Sequence, residues 1–203
     1  LRTRGLIPNR LITAPDRPAG RGLKLTPPPV KLWALKNKID FIQPPDLRSD
    51  LGTSLRSDLF VVASYGKILS RTVLDIPHHG TLNIHPSLLP KYRGASPIQR
   101  AILSGDTVTG VTIMRIDAGL DSGDIVAQKK VIISDEDTAL TLYKKIIPLV
   151  REIVTETAPL LAKGTAPRIP QDESMSTYFG GRKPEDGRID WTKPNDLIYN
   201  LVR

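Results

Sequence analysis

Short runs of β-branched and aromatic residues recur along the chain, separated by stretches with helical spacing or by turn residues. LIT at 11–13 predicts a strand that runs into a loop at Ala14, Pro15 and Asp16. The loop that follows, PDRPAGRGLKLTPPPV, is rich in Pro, Gly and cations, and its three consecutive prolines at 27–29 predict an extended polyproline stretch. From 30 to 38 the spacing becomes helical, with Val30, Trp33 and Ala34 on one face. DFIQ at 40–43 predicts another short strand, closed by Pro44 and Pro45.

DLFVVA at 58–63 is a continuous apolar run of the kind that fills a buried parallel strand. KILSRTVLDIP after it suits a short helix or turn, and GTLNIH at 80–85 predicts the next strand. Pro97 opens a predicted helix over 97–103, where its missing amide donor costs little. Two strands are predicted at 109–116 and 125–133, then a helix over 138–163 preceded by acidic residues at 135–137. Pro148 and Pro159 are expected to break or kink that helix. From Gln171 the chain is polar and rich in Gly and Pro, and RIDWTKPNDLIYNLVR begins a further element.

Strands alternating with helices predict an α/β fold with a mainly parallel sheet. Ligands of such sheets bind beyond the carboxyl ends of the strands. Asn83 and His85 stand where the 80–85 strand ends, and residues two apart on a strand project to one face. An amide and an imidazole aimed at one point can stabilise a developing oxyanion. Read singly, His85 also fits a structural histidine, and Asn83 a side chain that satisfies local backbone. His78 and His79, between a Pro and a Gly, read as a solvated turn.

Composition narrows the picture. The 203 residues are enough for one domain, or one domain and a piece of another. Hydrophobic residues at 39% and charged residues at 25% describe a globular chain. With no Cys and three His, neither a thiolate site nor an obvious zinc site is expected, and no metal is assigned. No apolar run reaches membrane-spanning length, so no membrane partner is expected. Taken alone, the net charge of +8 favours an anionic partner such as nucleic acid, a membrane surface or a polyanionic cofactor, and also fits a generally basic protein. Arg17, Arg21 and Lys24 concentrate cations on the PDRPAGRG loop, where they can grip phosphates or simply be solvated. In DAGLDSGDI, Asp117, Asp121 and Asp124 share a Gly-rich turn that lacks the ligand series of a calcium loop. An Asp brought beside His85 would orient the imidazole, but spacing does not show that contact.

NIHPSLLPKYRGASPIQRAI, TGVTIMRIDAGLDSGDI, and PDRPAGRG followed by PPPVK together resemble the folate-dependent formyltransferase family, over nearly the whole chain as far as RIDW. The PDRPAGRG loop and GLDSGD resemble more closely the branch that acts on methionyl-tRNA. That resemblance implies a Rossmann-like catalytic domain and an enzyme, with 10-formyltetrahydrofolate as formyl donor and the amine of initiator Met-tRNA as acceptor, in translation initiation. It implies Asn83, His85 and Asp121 as catalytic residues, with the first two donating to the oxyanion and Asp121 holding the imidazole in its donor state. Ser87, Leu88, Leu89 and Pro90 are the implied folate contacts, the backbone of Leu88 and Leu89 meeting the pterin edge. Arg17, Arg21, Lys24 and Arg93 are the implied tRNA contacts.

Against that family's pattern the opening βα unit is expected to be missing. Residues 1–176 are expected to form the catalytic domain, and 177–203 a linker and the start of a C-terminal barrel domain. A monomer in the cytoplasm or an organellar matrix is expected. Two alternatives fit the shortened chain: a formyltransferase for a small amine such as a sugar nucleotide, and a folate- or RNA-binding fragment without turnover.

Overall fold

The computed structural model describes residues 5–47 and 55–203. The chain divides into two compact units, one from Leu1–Ser57 with Ser64–Ile76, the other from Asp58–Ala63 with Pro77–Arg203.

In the first unit, β1 (Arg10–Ile12) pairs in parallel with β4 (Asp40–Ile42), Leu11 opposite Phe41. Between them the cationic loop is not loose. It folds as a two-stranded antiparallel ribbon, β2 (Arg17–Ala19) against β3 (Lys24–Thr26). All six strand residues are exposed, so no apolar alternation marked the ribbon in the sequence. Pro18 is tolerated because a two-stranded ribbon leaves edges that need no donor. Helix α1 (Pro29–Asn37) starts on the last of the three prolines, leaving Pro28 extended. Of the expected apolar face only Ala34 is buried; Val30 and Trp33 are exposed. The unit closes with α2 (Arg71–Leu74).

The second unit holds a four-stranded sheet in the order β5 (Phe60–Val62), β6 (Thr81–His85), β8 (Val108–Arg115), β9 (Ile125–Ile132). β5 and β6 run parallel, as the DLFVVA run predicted, but the strand is not buried: Phe60 and Val62 are half-buried and Val61 is exposed. The β6–β8 and β8–β9 ladders are antiparallel, so the α/β fold carries a mixed sheet here. Period-2 alternation sorts β6 and β8 into two faces. Leu82, Val111 and Ile113 pack in one core with α3 (Pro97–Leu103) and α4 (Ala139–Ala162), including Ile98, Ile102, Leu142, Ile146 and Ile153. Asn83 and His85 take the other face, opposite Met114 and Thr112 in the ladder.

Pro148 and Pro159 lie inside α4, which runs unbroken. Both prolines are on its exposed side, where water can take the carbonyls that lose their partners. Two short strands, β7 (Arg93–Gly94) and β10 (Tyr178–Phe179), pair in parallel. The final helix, α5 (Asn195–Val202), returns to the same unit: the Tyr199 hydroxyl donates to the Asp135 carbonyl and Arg203 donates to the carbonyls of Ser134, Asp135 and Asp137.

That turn also holds a buried carboxylate. Asp137 pairs with Lys145 and accepts from the Ser134 amide at 2.8 Å and the Thr141 hydroxyl at 2.9 Å. Burial by itself would push this carboxyl up, but the bonds from Lys145, Ser134 and Thr141 outweigh it and hold the group well below the usual carboxylate range. A carboxyl depressed on folding adds stability that is full above its unfolded value, near ~3.9, and is lost as pH falls toward the folded value. Asp137→Asn is therefore expected to be less stable than the parent at pH 7, the gap closing as pH falls below about 4. Urea unfolding across that range checks it; a gap that stays constant with pH would show the charge is not what Asp137 contributes.

Candidate active site

The site is built where β6 ends. Asn83 and His85 are fixed on one face by the ladder to β8, and His85 is 4% exposed. The loop between β8 and β9 returns to this face. Its base is closed by the Arg115 amide donating to the Asp124 carbonyl at 2.9 Å and the Ile116 amide to the Thr81 carbonyl at 2.9 Å. Within it Gly123 lies so close to β8 that a Cβ would stand 2.0 Å from the Arg115 carbonyl oxygen.

Of the three acidic residues in this turn, only Asp121 reaches the site. Asp117 caps its own turn, accepting from the Gly119 amide at 2.9 Å and the Ser122 hydroxyl at 3.0 Å. Asp124 pairs with Arg168 at 3.0 Å. Asp121 takes a left-handed backbone (φ 53°), which a short polar side chain tolerates, and turns its carboxylate inward. Oδ1 accepts from Asn83 Nδ2 at 3.3 Å, Oδ2 accepts from the Gly94 amide at 2.9 Å, and His85 Nδ1 stands 3.6 Å from Oδ2.

The other imidazole nitrogen settles the tautomer. His85 Nε2 is 2.8 Å from the Tyr92 carbonyl oxygen, which can only accept, so Nε2 carries hydrogen. A neutral ring then presents a lone pair at Nδ1 toward Asp121, and Nδ1 becomes a donor only when the ring takes up a proton. In a neutral ring Nδ1 is therefore the nitrogen able to accept a proton, a point the spacing of the sequence did not contain. Tyr92 is held in turn, its amide donating to the Thr177 hydroxyl at 2.8 Å and its own hydroxyl to Asp106 at 2.8 Å. Burial pushes the Tyr92 hydroxyl above its ordinary value.

The expected folate segment lies beside this group, and its polar atoms are largely engaged within the fold. Ser87 is fully buried and donates to the Lys91 carbonyl at 2.6 Å. The Leu88 carbonyl accepts from the Lys91 amide at 3.1 Å. The Leu89 amide donates to the Thr112 hydroxyl at 3.2 Å, and the Leu89 carbonyl accepts from Gln128 at 2.8 Å. The peptide bond into Pro90 is cis. These bonds fix the conformation of the segment that leads into Tyr92, and the Leu89 carbonyl keeps a second lone pair.

Arg93, expected at the tRNA, is 8% exposed and turned inward, its guanidinium bonding twice to Glu173 at 2.7 and 2.8 Å and to the Gln171 side chain. A guanidinium so bound has no free edge for a phosphate. Arg17, Arg21 and Lys24 are exposed on the first unit's ribbon. A cavity of about 440 Å³ in that unit is lined by Arg17, Tyr65, Lys67 and the 27–29 prolines. Among the described residues no group of three or more His, Asp or Glu side chains is arranged to hold a metal ion, and no helix is long and apolar enough to cross a membrane.

The sequence pattern of the formyl transferase family matches residues 9–157, which include all three site side chains. The chain belongs to the formyl transferase family. Among its relatives, a methionyl-tRNA formyltransferase from Chloroflexus aggregans is 48% identical over 197 residues, covering 95% of this chain and 64% of the relative. One from Moorella thermoacetica is 44% identical over 198 residues, covering 95% and 63%. The chain thus spans less than two thirds of the length of these curated relatives. Two solved structures share the fold. An N-formyltransferase from Helicobacter canadensis, in complex with folinic acid and dTDP-3-aminofucose, superposes with a TM-score of 0.74 at 20% identity over 97% of this chain and 80% of that one. A formyltransferase from Anoxybacillus kamchatkensis, in complex with a UDP-sugar and tetrahydrofolate, has a TM-score of 0.65 at 24% identity over 95% and 98%. The family match stops at 157, yet Gln171, Glu173 and Thr177 beyond it hold Arg93, Tyr92 and the Asp121 turn.

Proposed function

We propose that the chain is the formyl-transferring part of a methionyl-tRNA formyltransferase, moving a formyl group from 10-formyltetrahydrofolate to the amine of initiator Met-tRNA for translation initiation. The observation that carries this reading is the meeting of Asn83, His85 and Asp121 at one strand end in a member of the formyl transferase family. The acceptor is supported by relatives at 43–48% identity that are methionyl-tRNA formyltransferases. The net charge of +8 and the exposed Arg17, Arg21 and Lys24 suit tRNA phosphates.

In this reading the amine nitrogen attacks the formyl carbon and the carbonyl oxygen becomes an oxyanion. The Asn83 amide, bound to Asp121 by a long and weak contact, turns to donate to it; one such donor is worth about 10²–10³-fold in rate. The attacking amine loses a proton to His85 Nδ1, beside the Asp121 carboxylate. Collapse breaks the bond to folate N10, which leaves with a proton, and the product is the N-formyl amine. Nδ1–H and Asp121 then act as one proton-handling pair, a role worth about 10²–10⁴-fold.

The test is formyl transfer by the purified 203-residue chain, given 10-formyltetrahydrofolate with Met-tRNA and an amino-sugar nucleotide in competition. Formyl-methionine on tRNA is the expected product by mass spectrometry. Formylated sugar alone would replace the acceptor, and no formylation of either by a folded chain would overturn the catalytic reading.

A further inference from the structure

One part-buried polar connection enters the site from a segment outside the reacting side chains. Gln171 Nε2 donates to the carbonyls of Asp121 at 2.9 Å and Gly123 at 2.8 Å. Its Oε1 accepts from Arg93 Nε at 3.1 Å and Nη2 at 2.9 Å. Carbonyls only accept and a guanidinium only donates, so the orientation of the Gln171 amide is fixed at both ends. Arg93 is anchored in turn by Glu173.

The two carbonyls that Gln171 grips bracket Ser122, so the peptide planes following Asp121 are held from outside the turn. Asp121 needs this support, because its left-handed backbone is a conformation that costs energy when nothing else imposes it. The same segment holds the other side of the site. Through the β7–β10 pairing, the Arg93 amide donates to the Thr177 carbonyl at 2.8 Å and the Ala95 amide to the Phe179 carbonyl at 2.9 Å. Residues 171–179 therefore fix both ends of the bond from the Gly94 amide to Asp121 Oδ2.

We propose that Gln171, oriented by Arg93, is a positioning residue that sets the Asp121 carboxylate opposite Asn83 and His85. For activity this rests on the formyl-transfer reading. Gln171→Glu is the sharp variant: a carboxylate still bonds Arg93 but has no hydrogen to give the carbonyls of Asp121 and Gly123. Gln171→Met, which keeps the volume and loses both sets of bonds, is the second variant.

Two readouts separate positioning from general support. Amide hydrogen exchange by NMR at Gly94 is expected to quicken at least about tenfold in Gln171→Glu, while amides in the β6–β8 ladder keep their rates. Formyl transfer is expected to fall about tenfold or more in the parent, and by less than about twofold in an Asp121→Asn background, because both changes act on one carboxylate. Unchanged exchange at Gly94 in both Gln171 variants overturns the proposal, as does an activity loss of equal size in both backgrounds. If no chain formylates, the functional reading fails by itself, and Gly94 exchange still decides the role of Gln171.

Discussion

Asp121→Asn is expected to lower formyl transfer by about 10²–10³-fold while the fold stays intact. Asn is the informative replacement for two reasons. It tolerates the left-handed backbone that Asp121 occupies, where Ala would add strain. Its side-chain oxygen can still accept from the Gly94 amide, now 2.9 Å from Oδ2. What disappears is the negative charge 3.6 Å from His85 Nδ1, the atom proposed above to take the proton of the attacking amine. The melting temperature is expected to fall by no more than about 4 °C, equivalent to about 1 kcal/mol in a chain of this size. The loss belongs in kcat, with KM for the folate donor within about threefold, since the carboxylate acts on charge that develops only during transfer. Asn83→Ala should cost a comparable factor by a different route, removing an oxyanion donor and leaving Asp121 and His85 in place. A loss below about fivefold in Asp121→Asn would remove Asp121 from proton handling.

How much of this site the sequence displayed follows from the range over which each feature is encoded. Period-2 alternation put Asn83 and His85 on one face, and the strand that carries them, Thr81–His85, lies within the segment its pattern marked. Helix Pro97–Leu103 was equally local, since its first residue announces it. The contact that makes a site of these residues is not local. Three acidic residues share the β8–β9 turn with similar neighbours, and only backbone geometry distinguishes Asp121 from Asp117 and Asp124. Arg93 shows the opposite error. The resemblance implied Arg93 at the tRNA, and nothing local in KYRG shows that Glu173, eighty positions away, binds it. The β7–β10 ladder is two residues long and joins segments 85 apart, so no periodicity can reveal it. The prolines of α4 were misleading because a pattern shows the lost donor but not that both prolines lie on the helix's exposed side.

That short ladder supports the second large effect. Gly94→Ala is expected to destabilise the chain by about 3 kcal/mol, from left-handed strain and overpacking together. Gly94 has φ 93°, a region that a side chain makes costly, and a Cβ built there would stand 2.3 Å from the Phe179 carbonyl oxygen and 2.9 Å from the Tyr178 ring. Relief would require the backbone of β7 or β10 to move. Neither is free to do so, because the flanking Arg93 and Ala95 amides are bonded to the Thr177 and Phe179 carbonyls. For a chain of this size the cost corresponds to a fall in melting temperature of about 6–12 °C. Gly187→Ala is the control: its Cβ would meet nothing within 4 Å, and it is expected to change stability by less than about 0.5 kcal/mol. The two effects of Gly94→Ala are linked. Any shift that relieves the clash carries the Gly94 amide away from Asp121 Oδ2, so formyl transfer should fall even at temperatures where the variant is folded. A Gly94→Ala chain that melts with Gly187→Ala would mean that β10 does not lie against β7. The route by which residues 171–179 steady the carboxylate would then reduce to Gln171 alone.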